Sequence, residues 1–263
     1  MRADVYLTAN GHASSRSQAK ELIANGSVTV DGRLLKKPSE EISEEDHTVE
    51  ISRRLPYVGR GGLKLEGALD AFGINVENMS ALDVGASTGG FTDCLLQRGA
   101  SRVCAVDSGA GQLAQSLRQD PRVISMENCN ARYLTAEQIG GVVDLIVMDV
   151  SFISASLIIP QFPQLMGERG DAICLIKPQF EVGKSMIGKG GIVKDRQAHR
   201  YAVERVLESG RAVGLRPVGL IPSPITGGDG NREFLVWFAK GRDELPQVTD
   251  AEIRRVTDGK ENR

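Results

Sequence analysis

Residues 81–92, ALDVGASTGGFT, decide how this chain folds. A short apolar run closes on the carboxylate of Asp83, and a glycine-dense turn follows before the next apolar stretch. Gly85 lets the backbone leave a strand without a Cβ clash, and Gly89 and Gly90 let a helix start close against a ligand. A dinucleotide fingerprint reads G-x-G-x-x-G, whereas the spacing here is Asp83-x-Gly85-x-x-x-Gly89, with no middle glycine. At this point two readings stand: a nucleotide-cofactor loop, and an ordinary strand-to-helix turn.

Working outward, apolar strands and amphipathic helices alternate from residue 63 onward. Strands are expected over 81–83, 102–107, 123–126, 145–149, 172–176, 218–221 and 233–239. Helices are expected over 63–72, 90–97, 112–118, 154–165 and 195–209. This alternation predicts an α/β fold with a parallel, doubly wound sheet. Several strands end in a polar group: Asp83, Asp107, Asp149, and Lys177 just after Ile176. In a parallel sheet such ends share the carboxyl edge, where α/β folds bind ligands. Asp107, about one βα unit after the glycine loop, is placed to accept hydrogen bonds from ribose hydroxyls, and Asn130 to approach an adenine. Each aspartate could instead cap the next helix; their common position favours a cleft. The stretch 242–263 is charged and poor in large apolar residues, which predicts a loose tail.

Residues 1–52 read as a separate small module, and 53–62, rich in arginine, proline and glycine, as a linker. Ser14 and Ser15 can cap a helix carrying Ala19, Leu22 and Ile23 on one face, with Asn25-Gly26 as its stop. Val28-Thr29-Val30, Asp31-Gly32 and Leu34-Leu35 then give strand, type I′ turn and return strand. Arg16, Lys20, Arg33, Lys36 and Lys37 precede an acidic run of Glu40, Glu41, Glu44, Glu45 and Asp46. This helix-and-hairpin pattern resembles the S4 RNA-binding domain, which implies a basic face of Arg16, Lys20, Arg33 and Lys36 gripping RNA phosphates. A plain solvated face is the alternative.

The chain has 263 residues and 41% hydrophobic content, enough for one α/β domain and a small appendage. A formal charge of -2 gives no global pull toward nucleic acid, so any RNA contact rests on local patches. Cys94, Cys104, Cys129 and Cys174 lack C-x-x-C spacing, and the carboxylates are spread beside lysines, so neither a metal site nor a disulfide framework is expected. The amino terminus lacks the apolar run of a signal peptide, and Asp144 and Asp149 interrupt the most apolar internal stretch. A soluble, cytoplasmic protein is expected. His12, His47 and His199 stand apart from any acid or serine motif and read as structural.

The glycine-loop spacing is similar to the first motif of S-adenosylmethionine methyltransferases. Together with RGGLKLEGAL around Lys64, VMDVSFIS around Asp149, IKPQFEVG around Lys177 and SPITGGDGNREFLVWF around Glu233, it resembles the TlyA family over nearly the whole chain, from Arg2 to Ala239. Members carry a haemolysin-like label and act as ribosomal RNA 2′-O-ribose methyltransferases, with an S4 domain ahead of an FtsJ-like catalytic domain. One departure is Gly59, where relatives often carry serine.

The resemblance implies a Rossmann-like class I methyltransferase domain over 63–241, after a small α+β S4-like module. It implies S-adenosylmethionine as cofactor, held by Asp83, Gly85, Ser87, Thr88, Gly89, Phe91, Thr92, Asp107 and Asn130. It also implies a Lys-Asp-Lys-Glu tetrad: Lys64, Asp149, Lys177 and Glu233. In that set neutral Lys177 is the candidate base, Asp149 and Glu233 orient the ammonium groups and the hydroxyl, and Lys64 stabilises the developing alkoxide. The implied partner is ribosomal RNA or a ribosomal subunit, with cytidine as target.

The segment 182–194 holds Lys184, Lys189 and Lys194 among glycines. It reads as too flexible for scaffold and able to fold over RNA through Lys184 and Lys189, with a plain solvated loop as the alternative. Two further readings compete with the enzyme. A membrane-active haemolysin lacks any span approaching the roughly 20 apolar residues of a transmembrane helix. A silent RNA-binding assembly factor sits badly with a complete set of tetrad residue types.

Overall fold

The computed structural model describes residues 1–24, 27–35, 37–43, 47–51, 56–227 and 230–259. The expected helix stop at Asn25-Gly26, Lys36, the acidic Glu44, Glu45 and Asp46, and linker residues 53–55 lie outside the described residues. The chain forms two compact units, Met1–Pro56 and Tyr57–Arg263.

The first unit contains α1 (Ala3–Ala9), α2 (Arg16–Ala24), β1 (Val28–Val30), β2 (Arg33–Leu34) and β3 (Val49–Ile51). Ser15 caps α2 by accepting from the Gln18 N–H at 3.2 Å, and the Gln18 amide oxygen accepts from the Ser14 N–H at 2.6 Å. Asp31 (φ 50°) and Gly32 (φ 74°) both take left-handed conformations, as a type I′ turn requires. The antiparallel sheet runs β2-β1-β3. Its core joins Tyr6 and Leu7 of α1 to Leu22, Ile23, Val28 and Leu35.

The second unit runs α3 (Gly61–Phe72), β4 (Ser80–Val84), α4 (Gly90–Gln97), β5 (Arg102–Val106), α5 (Gln115–Arg118), β6 (Val123–Met126) and β7 (Val143–Met148). It continues through α6 (Phe162–Leu165), β8 (Met166–Ile176), α7 (Pro178–Glu181), α8 (Arg196–Arg211), β9 (Arg216–Pro222), β10 (Phe234–Lys240) and α9 (Asp250–Asp258). The seven strands order as β6-β5-β4-β7-β8-β10-β9. The chain winds outward from β4 to β6 and then returns to β7 beside β4, so a topological switch point opens between β4 and β7. Ligands bind in such a crevice, outside the carboxyl ends of the strands.

Both faces of the sheet are covered. Leu82, Val84, Cys104, Ile146, Met148 and Cys174 face one apolar layer. Ala81, Val103, Leu145, Val147, Ile173 and Leu175 face the other, giving the period of two expected of strands buried on both sides.

Three expectations need correction. The sheet is not wholly parallel, because β10 runs antiparallel to both β8 and β9. The described residues of segment 223–233 form no helix to make a crossover, so the chain turns back on itself. The expected helix over 154–165 breaks into 3₁₀ turns at Ala155–Leu157 and Ile159–Gln161, followed by α6. Pro160 and Pro163 remove the N–H groups a continuous helix would need. The expected loose tail contains α9, opened by a Thr249–Glu252 capping box and burying Ile253, Val256 and Thr257. Its apolar residues are few but sit at helical spacing, which a compositional reading averages away.

Candidate active site

The glycine loop between β4 and α4 brings two strand ends together. Gly85 has φ 83°, and a Cβ there would lie 2.4 Å from the Asp149 carbonyl oxygen. Only glycine lets this turn pass so close to the end of β7. Asp107, after β5, accepts from the backbone N–H groups of Ser87 (2.8 Å) and Gly109 (2.7 Å), fastening that strand end to the loop. A cleft of about 630 Å³ opens there, lined by Gly85, Ser87, Asp107, Asn130, Asp149 and Phe152 among others. A smaller pocket of about 200 Å³ shares Gly85, Ser87, Asp149 and Ser151 with it and adds Thr88, Phe91 and Lys177.

Three residues expected at the cofactor line neither space. Gly89 is the N-cap of α4, in a left-handed conformation. Thr92 and Asp83 are buried against each other, the threonine hydroxyl donating to Asp83 Oδ2 at 2.6 Å. Asp83 Oδ1 is buried without a hydrogen-bond partner among the described residues. Burial pushes the Asp83 carboxyl up to about 7, against the opposing pull of the Thr92 hydrogen bond.

The four tetrad candidates form two ion pairs. Lys64, on α3, places Nζ 2.6 Å from Glu233 Oε2, with side chains only 9% and 2% exposed. Glu233 immediately precedes β10, and Gly227 leaves it room: a Cβ there would lie 2.6 Å from Glu233 Oε1. Lys177, just after β8, lies 2.5 Å from Asp149 Oδ1. That contact is an ion pair outside hydrogen-bonding alignment, since Asp149 Oδ1 has no hydrogen-bond partner among the described residues. The hydrogen bond from Lys177 Nζ goes to Ser151 Oγ, at 2.8 Å. Burial pushes the Glu233 carboxyl up, while Lys64 and then Lys177 pull it down and Asp149 pushes it up, so the two pairs share one electrostatic environment.

Sequence reasoning passed over Ser151 and Phe152. Phe152 is 92% exposed on the cleft lining and holds φ 64°, an unfavourable conformation for a bulky residue. Its ring lies 5.3 Å from that of Phe180. In the run V-S-F-I-S the phenylalanine reads as one more core residue, and only the backbone turn reveals that it faces outward.

The segment 182–194 is anchored, contrary to expectation. Val182, Ile187 and Val193 pack on Ala198 and Ala202 of α8. Buried Asn231 accepts from the Val193 N–H (2.9 Å) and donates to the Gly191 carbonyl (3.0 Å), and the His199 ring bonds the Val193 carbonyl at 2.9 Å. Lys184 and Lys189 remain exposed on this fixed segment. In the first unit Lys20 is exposed. Arg16 is 2.9 Å from the fully buried Asp4, and Arg33 is 3.4 Å from Glu40. Hydrogen bonding from Arg2, with help from Arg16, holds the Asp4 carboxyl well below its ordinary range despite burial. Among the described residues no group of three or more His, Cys, Asp or Glu is placed to hold a metal, and no helix is long and apolar enough to cross a membrane.

Comparison with known proteins identifies the family and the fold. Residues 57–240 match the FtsJ-like methyltransferase family model, and residues 1–47 match the S4 domain model. The chain is 44% identical over 262 residues to the 16S/23S rRNA (cytidine-2′-O)-methyltransferase TlyA of Mycobacterium tuberculosis (strain H37Rv), covering 98% of each protein. A solved Streptococcus thermophilus structure that carries a hemolysin label is similar with a TM-score of 0.78 and 41% identity, over 98% of this chain and 94% of that one. An S-adenosylmethionine-dependent methyltransferase from Mesorhizobium loti shares the fold alone, with a TM-score of 0.51 and 15% identity over 69% of this chain and 100% of that one. The chain belongs to the TlyA family, in which an S4 domain precedes an FtsJ-like methyltransferase domain.

Proposed function

We propose that this protein transfers a methyl group from S-adenosylmethionine to a ribose 2′-hydroxyl of ribosomal RNA, at a cytidine, in the cytoplasm where ribosomes are built. The observation that carries this reading is the Lys177, Asp149 and Ser151 cluster on a glycine-walled pocket, with the buried Lys64–Glu233 pair behind it and close enough for Lys177 and Asp149 to act on Glu233 electrostatically.

The residues present fit the cofactor. The cleft is of the size that holds a nucleoside ligand, and Gly85 on its lining makes a turn that a Cβ would drive into the Asp149 carbonyl. Gly85, Ser87, Asp107 and Asn130 would hold the nucleoside part, and Thr88 and Phe91 the remainder. When bound, S-adenosylmethionine supplies an electrophilic sulfonium methyl group.

The chain's own residues supply position and proton transfer. Lys177, in its deprotonated form, accepts the ribose hydroxyl proton at Nζ, which restores the charge that pairs with Asp149. Because Ser151 takes one N–H of that amine and Asp149 lies against it, the lone pair has a restricted direction. Lys64, held by Glu233, stabilises charge as it develops on the ribose oxygen. A positioned base contributes roughly 10²- to 10⁴-fold, whereas holding the reactants in line supplies about 7–11 kcal/mol. Positioning therefore dominates, and the two ion pairs serve it. The exposed face of Phe152 offers a base a stacking surface, typically about 1–3 kcal/mol per base.

Lys20, Arg16 and Arg33 in the S4 module, and Lys184 and Lys189 in the methyltransferase domain, are the candidate phosphate contacts. Neutralised phosphates would make binding fall steeply with salt. The test is transfer of tritium from labelled cofactor to purified ribosomal subunits. Uptake into rRNA is expected, and a protein that binds subunits without transferring label would overturn the enzymatic reading.

A further inference from the structure

Glu181 ends α7, four residues after Lys177, and its side chain is buried at 2% exposure. Among the described residues no cation lies within ion-pair distance of its carboxylate, although Arg205 pulls on it electrostatically. Oε1 accepts from the Ala155 N–H at 2.7 Å, and Oε2 accepts from the Ser154 hydroxyl at 2.5 Å. Ser154 in turn caps the 3₁₀ turn Ala155–Leu157 by accepting from the Ser156 N–H. The Glu181 carbonyl accepts from Arg205 of α8 at 2.7 Å, which fixes the residue from its other side. Burial pushes the carboxyl up, against the opposing pull of the Ser154 and Ala155 hydrogen bonds and of Arg205.

The segment held in this way is unfavourable on its own. Between Asp149, whose N–H donates to Val84 at 3.0 Å, and Ser154 the chain carries Phe152 with φ 64° and a ring 92% exposed. Such a conformation persists only where the surroundings over-determine it. The segments 149–155 and 177–181 meet at three more points: Lys177 with Asp149, Lys177 with Ser151, and Phe180 with Phe152. Those three lie at the cleft. Glu181 lines neither pocket, so its hold is exerted from behind.

We propose that Glu181 is a positioning residue for methyl transfer: its buried carboxylate fixes the Ser154 end of the segment so that Ser151 stays on Lys177 and Phe152 stays at the cleft. The proposal rests on the transfer reading above, and Glu181 itself touches no reacting atom.

The test uses the full chain and compares Glu181→Ala, Glu181→Gln, Phe152→Ala and the double variant Glu181→Ala/Phe152→Ala, all at a temperature where each is folded. Methyl transfer to ribosomal subunits, cofactor affinity and amide hydrogen exchange of residues 150–156 are measured. Glu181→Ala is expected to lower kcat/KM about 10- to 100-fold, the scale of an ångström-level misplacement, with cofactor affinity changed less than about 3-fold and faster exchange over 150–156. Glu181→Gln keeps an acceptor for Ala155 and can donate to Ser154, so it should restore activity to within about 5-fold of wild type. Residues that act through one another are non-additive, so Glu181→Ala should cost less in the Phe152→Ala background than in wild type, the remaining loss passing through Ser151.

Multiplicative losses, unchanged exchange over 150–156, or a parallel fall in cofactor affinity would overturn the positioning role while leaving the transfer reading intact. A wild-type protein without transfer activity would overturn that reading, and this proposal with it. Should Glu181→Ala not fold, Ser154→Ala releases the same hold from the loop side and carries the same expectation, at smaller size.

Discussion

Lys64 and Glu233, 169 residues apart in the chain, meet at 2.6 Å with both side chains nearly buried. One comes from α3, at the start of the methyltransferase domain, and the other from the approach to its last strand. A buried pair of this kind contributes little net stability, because removing two charges from water offsets most of their attraction. Its value lies in fixing where the ammonium sits.

Removing one partner should therefore cost far more than removing both. Lys64→Ala is expected to destabilise the protein by about 3–5 kcal/mol through the carboxylate left unpaired, and the double variant Lys64→Met/Glu233→Leu to regain most of that loss. Both should be inactive in methyl transfer. Urea unfolding combined with the transfer assay checks this, and a double variant less stable than the single would contradict it.

Lys177→Ala should lower methyl transfer by at least about 10²-fold, the lower range for a general base. Cofactor affinity, followed by titration calorimetry, should stay within about 3-fold, because Lys177 does not line the larger cleft assigned to the nucleoside part. Loss of cofactor binding instead would make the lysine structural. Ser151→Ala, which frees the Lys177 amine to rotate, should lower kcat about 10-fold, with KM for RNA little changed.

Gly85→Ala meets two obstacles at once, a φ of 83° and a Cβ 2.4 Å from the Asp149 carbonyl oxygen. The turn must shift to admit it. A cost of about 1–3 kcal/mol in stability is expected from the backbone conformation alone, together with loss of cofactor binding in calorimetry. Wild-type affinity in this variant would mean that the cleft is not the cofactor site.

Asp83 gives a pH dependence of known sign. Its folded-state value, about 7, lies above the ordinary 3.8, so the folded protein holds a proton that the unfolded chain releases between those limits. Stability from this group falls as pH rises through that window and levels off above about 7. Asp83→Asn keeps an acceptor for Thr92 and removes the titration. Between pH 5 and pH 8 the variant should lose about 2–3 kcal/mol less stability than wild type in urea unfolding; identical slopes would place the titration elsewhere.

Much of the fold was legible because it depends on local signals. The Asp31-Gly32 turn, the Gly85 and Gly89 positions and the strands over 81–84, 102–106 and 143–148 are specified by glycine geometry and by apolar runs bounded by turns. The direction of β10 was not legible, because a period of two reads the same in either direction. Helix α9 was hidden by its charged composition, although Ile253 and Val256 sit three apart.

In the site, residue types at strand ends indicated a cleft, and resemblance supplied the tetrad candidates. Which lysine pairs with which acid is a property of packing: Lys64 meets Glu233 only because α3 lies beside the segment that enters β10. Asp83 at a strand end looked like a ligand contact and is instead buried with Thr92. Phe152 could not be found, since its exposure follows from one left-handed backbone angle that no neighbouring residue type announces.

The most direct test is to locate the methyl group. Ribosomal subunits treated with labelled cofactor and either wild-type protein or Lys177→Ala are digested to nucleosides and analysed by mass spectrometry. The account predicts label on the ribose 2′-oxygen of cytidine with the wild type and none with Lys177→Ala, while both proteins bind cofactor. Label on a base, or undiminished ribose methylation by Lys177→Ala, would contradict it.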